Sequence, residues 1–167
     1  MSRGFVKEDD QEEVPMVPPR APLPPGVPNY VTQAGMDELL AERQTLMDER
    51  ENLDISSDNE RRIAVNHITA KLQLLNERIT EARIINLKEQ PQDEIRFGAR
   101  VTLKIEGSKD IQTFQIVGVD EADIARGKIS FLSPLAKALI NKKTGEKITL
   151  KRDREEIAYE IMDISYR

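Results

Sequence analysis

Hydrophobic positions in the middle of the chain recur with the period of an α-helix. After Thr32, a residue type that caps helices, apolar residues alternate with charged ones at helical spacing, which predicts a helix over residues 32–53. Its apolar positions are Met36, Leu39, Leu40, Leu46, Met47 and Leu53. A second series recurs at alternating intervals of three and four residues: Val65, Ile68, Leu72, Leu75, Ile79 and Ala82. This is the a/d pattern of a coiled coil and predicts a second helix.

The residues between these two segments favour a reversal of the chain. Residues 52–59 concentrate Asn, Asp and Ser, which bond to neighbouring backbone in turns and caps, with Asp58 and Asn59 as candidate caps of the second helix. Each of the two helices carries one narrow apolar stripe, and a short turn joins them. This arrangement predicts an antiparallel coiled-coil hairpin over residues 30–87. The same seam could also close between two chains.

Beyond a polar connector at 88–94, the hydrophobic period shortens to that of strands. Alternating segments at 101–105, 114–117, 128–131, 147–151 and 157–164 are separated by glycines and predict an antiparallel sheet. Ser133 as N-cap and Pro134 at the first helical position predict one helix over 134–140. Residues 95–167 therefore form an α+β domain. Its expected core contains Phe97, Phe114, Phe131, Leu135, Leu139 and Ile161.

The first 29 residues have a different composition from the rest of the chain. Seven of the nine prolines fall there, after a group of acidic residues. Proline favours polyproline II and lacks a backbone donor, so this segment is predicted to be an extended, disordered arm. A plain tail is favoured over a proline-rich ligand for a partner.

Composition and charge exclude several classes of function. The chain has 167 residues, no cysteine and a single histidine, His67, which removes thiolate metal sites, cysteine nucleophiles and any site that needs two histidines. Phosphate-binding loop motifs are not found. The absence of a long apolar run or secretory signal leads us to expect a cytoplasmic protein with no membrane contact.

Charge is distributed unevenly, and acids cluster near the predicted turn. Residues 95–167 contain 14 basic and 11 acidic residues, whereas 1–94 contain 11 basic and 19 acidic ones. The acids around the turn are Asp48, Glu49, Glu51, Asp54, Asp58 and Glu60. Such a group could supply oxygen ligands to Mg²⁺, or could simply be a solvated turn.

Four blocks of sequence resemble the Gre-factor family of bacterial transcription elongation factors. They are 30–39 (YVTQAGMDEL), 97–103 (FGARVTL), 114–124 (FQIVGVDEADI) and 127–140 (GKISFLSPLAKALI). The resemblance spans about residues 30–166 and implies a coiled-coil hairpin followed by an FKBP-like domain. It also implies that this domain docks on RNA polymerase at the rim of the secondary channel while the hairpin enters the channel.

The resemblance further implies an accessory factor and not an enzyme. In the family, two acidic residues at the hairpin tip help to bind a Mg²⁺ ion in the polymerase active site. The polymerase then hydrolyses the backtracked RNA. The factor has no cofactor of its own, and its contact with nascent RNA and DNA is indirect. By position, Asp54 and Asp58 match the tip acids and metal ligands, and Asp120, Glu121, Ser133 and Pro134 match the polymerase-docking surface.

Two departures from the family pattern bear on the tip. One extra residue separates Asp54 from Asp58, and the first helical arm is several turns shorter than in members that stimulate cleavage. A regulator that blocks the channel without stimulating cleavage is therefore the alternative.

Two further classes of function remain open from the residues alone. One is an FKBP-like prolyl isomerase, which would need an open aromatic pocket. The aromatic residues of the second domain mostly lie on strand patterns that indicate core: Phe97, Phe114, Phe131, Tyr159 and Tyr166. The other is a coiled-coil interaction module with a different partner.

Overall fold

The computed structural model describes residues 15–167, and its first unit is a helical hairpin. Helix α1 covers Gln33–Glu51 and α2 covers Asp58–Glu81, joined by residues 52–57. Thr32 caps α1 as predicted: its hydroxyl oxygen accepts a hydrogen bond from the Gly35 amide at 2.9 Å. Ser57 caps α2, so the assignment of that cap to Asp58 and Asn59 is wrong. Ser57 lies where the backbone is still extended, whereas Asp58 already belongs to the first turn.

Residues 15–167 also contain seven strands, and five of them form one sheet. In chain order they are β1 (Asn29–Val31), β2 (Ala82–Ile84), β3 (Arg100–Ile105), β4 (Ile111–Val117), β5 (Lys128–Ser130), β6 (Lys147–Arg152) and β7 (Glu155–Ser165). The large sheet has the order β5-β4-β3-β7-β6, and helix α3 covers Pro134–Leu139 with Ser133 as its cap. The predicted α+β class, five strands and single helix of the second domain are confirmed.

The sheet is antiparallel except at one edge. Strands β4 and β5 pair in parallel, with Ile116 opposite Ile129, so the prediction of a wholly antiparallel sheet is wrong there. The connection over 118–127 returns the chain so that β5 runs parallel to β4, and it contains a 3-10 turn at Ile124–Arg126.

A short parallel pair, which the sequence pattern does not predict, links the hairpin to the sheet domain. Strand β1 enters α1 and pairs with β2, which leaves α2. Strand β1 also lies against the end of β4: a Cβ added at Gly118 would lie 2.4 Å from the Tyr30 carbonyl oxygen. Only glycine at this position permits so close an approach.

The interior consists of one large and one small cluster of apolar side chains. The large cluster lies between the sheet and α3, where Ile95, Leu103, Ile116, Leu139 and Ile161 are almost completely buried. Of the predicted core, Phe97, Leu139 and Ile161 are buried. Phe114, Phe131 and Leu135 are half-buried against the same cluster. The small cluster lies at the base of the hairpin around Val31, Leu39 and Leu75.

The proline-rich arm contacts both the hairpin and the sheet domain. Residues 15–28 contain no helix or strand, and Arg20 is ion-paired to Glu42 of α1 and to Asp120 of the sheet domain. Asn29 belongs to β1, so the arm ends one residue earlier than predicted, while its disorder stays a prediction. The composition of the arm shows that its prolines lack backbone donors. It does not show that Arg20 has an acidic partner, Asp120, 100 residues further along the chain. Residues 1–14 lie outside the described part of the chain.

Among the helices of residues 15–167, none has the length and apolar character needed to cross a membrane.

Candidate functional site

The two consecutive acids after β4 lie at the junction between hairpin and sheet domain. The Asp120 carboxylate accepts hydrogen bonds from Arg20 Nε at 3.0 Å and from Arg78 Nη1 at 3.3 Å, and its side chain is only 7% exposed. Arg20 also donates from Nη1 to Glu42 Oε2 at 2.7 Å, and Arg78 donates to the Ala21 carbonyl oxygen. Asp120 therefore joins the arm, α1 and α2 to the sheet domain.

Glu121 makes a second, separate connection across the same junction. Its Oε1 accepts a hydrogen bond from the Thr32 hydroxyl at 2.6 Å and its Oε2 accepts one from Lys128 Nζ at 3.2 Å. The carboxylate is 3% exposed, and it lies so close to α1 that a Cβ at Gly35 would be 2.5 Å from Oε1. Buried carboxylates require such partners, so Glu121 is part of the structural framework.

We call Arg20, Glu42, Arg78 and Asp120 the junction cluster. Burial acts to lower the pKa of Arg20, but the hydrogen bonds and charges of Glu42 and Asp120 outweigh it, so the pKa of Arg20 lies above its ordinary value. Arg20 is thus a permanent cation in this cluster. Sequence reasoning did not identify Arg20 or Arg78, because nothing local to Asp120 indicates partners 100 and 42 residues away.

The remaining predicted docking residues lie at the start of α3. Ser133 is half-buried and its hydroxyl oxygen accepts a hydrogen bond from the Ala136 amide at 3.2 Å, while Pro134 is exposed. This confirms the predicted cap. A cap can also lie at an interface, and the docking role of Ser133 and Pro134 stays a prediction.

An exposed aliphatic residue that sequence analysis missed follows the buried acids. Ile124, in the 3-10 turn after Glu121, is 83% exposed. The turn is fixed because Asp123 Oδ1 accepts a hydrogen bond from the Ala125 amide at 3.2 Å. Arg126 and Glu38 of α1 lie 3.8 Å apart, which adds an exposed ion pair beside it. A large aliphatic side chain held in water by a fixed turn is a candidate contact for a partner.

The hairpin tip carries its acids in solvent. Asp54, in the connecting loop, and Asp58, in the first turn of α2, are both exposed. Arg61 Nε donates to the Ile55 carbonyl oxygen at 3.1 Å and holds the loop against α2. Within residues 15–167, no three acidic, histidine or cysteine side chains are grouped closely enough to hold a metal ion. Asp54 and Asp58 can add carboxylate oxygens to a cation that another molecule also binds.

The aromatic residues of the sheet domain are covered from within the chain. Tyr30 of β1 packs on Phe97 and Phe131, with ring centroids 5.8 Å and 5.7 Å away. Phe97 and Phe131 are themselves 5.7 Å apart. The three rings of Tyr30, Phe97 and Phe131 thus pack on one another and on the large apolar cluster.

Comparison with known proteins gives consistent matches to one group. The sequence profile described as "Transcription elongation factor, GreA/GreB, C-term" matches residues 90–166. Transcription elongation factor GreA of Rhizobium leguminosarum bv. trifolii (strain WSM2304) is 36% identical over 129 residues, which cover 77% of this chain and 80% of the relative. The protein of the same name from Maricaulis maris (strain MCS10) is 35% identical over 120 residues, which cover 70% and 76%.

Solved structures with similarity to this chain include two with related names. The GreA/GreB factor of Nitrosomonas europaea is 17% identical with a TM-score of 0.43, covering 82% of this chain and 98% of that one. The GreA factor homolog 1 (Gfh1) of Thermus thermophilus is 23% identical with a TM-score of 0.40, covering 81% and 97%. Since these superpositions are weak, the sequence relatives are the informative matches.

Proposed function

This chain belongs to the GreA/GreB family of transcription elongation factors, and from that membership we propose that it binds RNA polymerase at the secondary channel. The sheet domain docks at the rim of the channel and the hairpin enters it. The observation that carries this proposal is a single alignment at 36% identity that covers 77% of the chain. An alignment of that length must include sequence from both the hairpin and the sheet domain.

The junction supports a role in which the hairpin is aimed by the sheet domain. The Asp120 and Glu121 carboxylates connect the base of the hairpin to the sheet domain, and Tyr30 of β1 adds a separate contact by packing on Phe97 and Phe131. A docked sheet domain would therefore direct the tip. The docking contacts that we propose on the sheet domain are the exposed residues Ile124 and Pro134.

The tip acids define the chemistry that the factor would bring to the polymerase. Asp54 and Asp58 would contribute carboxylate oxygens to a Mg²⁺ ion shared with the polymerase active site; a bound Mg²⁺ lowers the pKa of a coordinated water and stabilises a leaving oxygen. The bond-breaking step then belongs to the polymerase, and the factor acts as an accessory. Contact with nascent RNA and DNA would be limited to what the tip meets in the channel.

The length of the hairpin supports a second candidate function. Helix α1 has 19 residues and so spans about 28 Å at ~1.5 Å per residue. This is shorter than the roughly 33 Å expected from a helix over 32–53, because α1 begins at Gln33 and ends at Glu51. A tip that stops short of the active site would occupy the channel without adding ligands to the metal.

Transcript cleavage by stalled, backtracked RNA polymerase separates the two candidates. The assay compares the wild type with Asp54→Ala/Asp58→Ala, with Ser56→Ala as the matched tip control, and measures polymerase binding in parallel. Cleavage that the double variant loses and the control keeps supports a metal-contacting tip. Binding without cleavage supports channel occupation, and absence of binding by the wild type would contradict the proposed function.

A further inference from the structure

The proline-rich arm makes specific contacts with the predicted docking acid. Arg20 Nε lies 3.0 Å from Asp120 Oδ1, and Arg20 Nη1 lies 2.7 Å from Glu42 Oε2. The neighbouring Ala21 carbonyl oxygen accepts a hydrogen bond from Arg78. With Arg20 in place, the Asp120 side chain is 7% exposed. The arm thus covers a carboxylate that the family resemblance assigns to polymerase docking.

Arg20 is the member of the junction cluster that can leave without unfolding a helix or the sheet. Glu42 belongs to α1, Arg78 to α2, and Asp120 lies three residues after the end of β4. Arg20 lies in residues 15–28, which contain no helix or strand and are rich in proline. Prolines supply no backbone donors, so few main-chain hydrogen bonds would oppose release of the arm. The Arg20 side chain is 20% exposed, so solvent already reaches it.

We propose that the arm is an intramolecular strap in which Arg20 shields Asp120 from RNA polymerase until the arm is displaced. This inference rests on the proposed function, because the partner that needs Asp120 is the polymerase. An ionised carboxylate only accepts hydrogen bonds, so the polymerase group that replaces Arg20 must be a donor such as an arginine or lysine side chain. Only molecules in which Asp120 is uncovered can bind the polymerase through it. The apparent affinity for the polymerase therefore falls in proportion to the fraction of molecules in which Asp120 is uncovered.

The first test measures binding of the full chain to purified RNA polymerase. Arg20→Gln removes the cation from the strap, and Glu42→Gln removes its second partner while Asp120 is left intact. Both variants are expected to bind polymerase roughly threefold to tenfold more tightly than the wild type, with the larger gain for Arg20→Gln, because it removes both ion pairs of Arg20 whereas Glu42→Gln removes one. Arg152→Gln, at an exposed position at the end of β6, is the matched control and should bind like the wild type.

A second readout uses the free chain and does not depend on the polymerase. Trypsin can cut the Arg20–Ala21 bond only when Arg20 leaves Asp120 and Glu42. Asp120→Asn and Glu42→Gln should therefore accelerate cleavage after Arg20 severalfold. Cleavage after the exposed Arg152 and Arg154, at the turn between β6 and β7, should keep its rate and serves as the control within each digest.

The outcomes distinguish failure of the strap from failure of the proposed function. Unchanged or weaker polymerase binding by Arg20→Gln, with normal binding by the wild type, would overturn the strap and leave the proposed function standing. An unchanged rate of cleavage after Arg20 in Asp120→Asn would also overturn it. If neither the wild type nor the released variants bind polymerase, the proposed function fails, and the strap has no partner to regulate.

Discussion

At the scale of single residues, the side chains with most influence on the structure are those that serve two elements at once. The Thr32 hydroxyl accepts a hydrogen bond from the Gly35 amide and donates one to Glu121 Oε1. It therefore begins α1 and also supplies a partner to a buried carboxylate of the sheet domain. Loss of this hydroxyl leaves both the helix end and Glu121 with an unmade hydrogen bond.

Replacement of Thr32 by alanine should lower the free energy of unfolding by about 1–3 kcal/mol, from the lost cap and the buried carboxylate left with fewer donors. Thr32→Ser keeps the hydroxyl and should stay within about 0.5 kcal/mol of the wild type. Urea unfolding followed by far-UV circular dichroism measures both. Equal stability of the two variants would show that the hydroxyl has neither role.

Tyr166 gives a prediction for alkaline pH. Its hydroxyl donates to the Glu94 carbonyl oxygen at 2.5 Å and accepts from the Arg96 amide at 2.7 Å. Burial raises the pKa of Tyr166 above its ordinary value. The neutral hydroxyl is thus favoured in the folded state, so its contribution to stability is complete below about pH 10 and is lost as the pH rises through the folded pKa.

Tyr166→Phe should cost about 1–2 kcal/mol at neutral pH, because it removes both hydrogen bonds. Above about pH 10 the wild type should lose stability more steeply than the variant, and the difference should shrink. Thermal unfolding over a series of pH values measures this. A constant difference at all pH values would mean that Tyr166 does not titrate with unfolding.

Local sequence signals predict some residues of the site but not their partners. The caps formed by Thr32 and Ser133 follow from residue type and from the pattern after them, and both are confirmed. The pairing of Arg20 with Asp120 depends on how the arm crosses the junction, which no periodic pattern encodes. A resemblance to a docking motif likewise cannot reveal that its acids are buried within the same chain.

At the scale of elements, length and flanking residues together decide what the sequence can predict. The two hairpin helices and the strands of six or more residues are long enough to show their periods. Strand β5 has only three residues, but Gly127 and the cap at Ser133 set its segment apart. Strands β1 and β2 are equally short and lie directly beside the hairpin helices, so no turn signal separates them from the helical pattern. The parallel pairing of β4 with β5 also escapes prediction, because a strand pattern does not state its direction.

The α2 cap provides an element-scale prediction with a matched control. The Ser57 hydroxyl oxygen accepts a hydrogen bond from the Glu60 amide at 3.4 Å, whereas Ser56 is exposed and precedes the cap. Ser57→Ala should lower the stability of the hairpin by about 0.5–1 kcal/mol, and Ser56→Ala should have almost no effect. Helical circular dichroism during thermal unfolding measures both, and an equal loss would place the start of α2 elsewhere.

At the scale of the whole molecule, the junction determines how the hairpin and the sheet domain work together. Ion pairs, a buried carboxylate and the packing of Tyr30 on Phe97 and Phe131 all connect the two units. The arm adds a contact that can be released. A factor of this design would bind polymerase through the sheet domain and present its acidic tip at a fixed distance and direction.

Equilibrium binding of the full chain to purified RNA polymerase tests this account most directly. Ile124→Asp is compared with Ile111→Asp, since both isoleucines are exposed residues of the sheet domain, at 83% and 62%. The account predicts saturable binding by the wild type, weakened at least about tenfold by Ile124→Asp and unchanged by Ile111→Asp. Absence of wild-type binding, or equal loss in both variants, would contradict it.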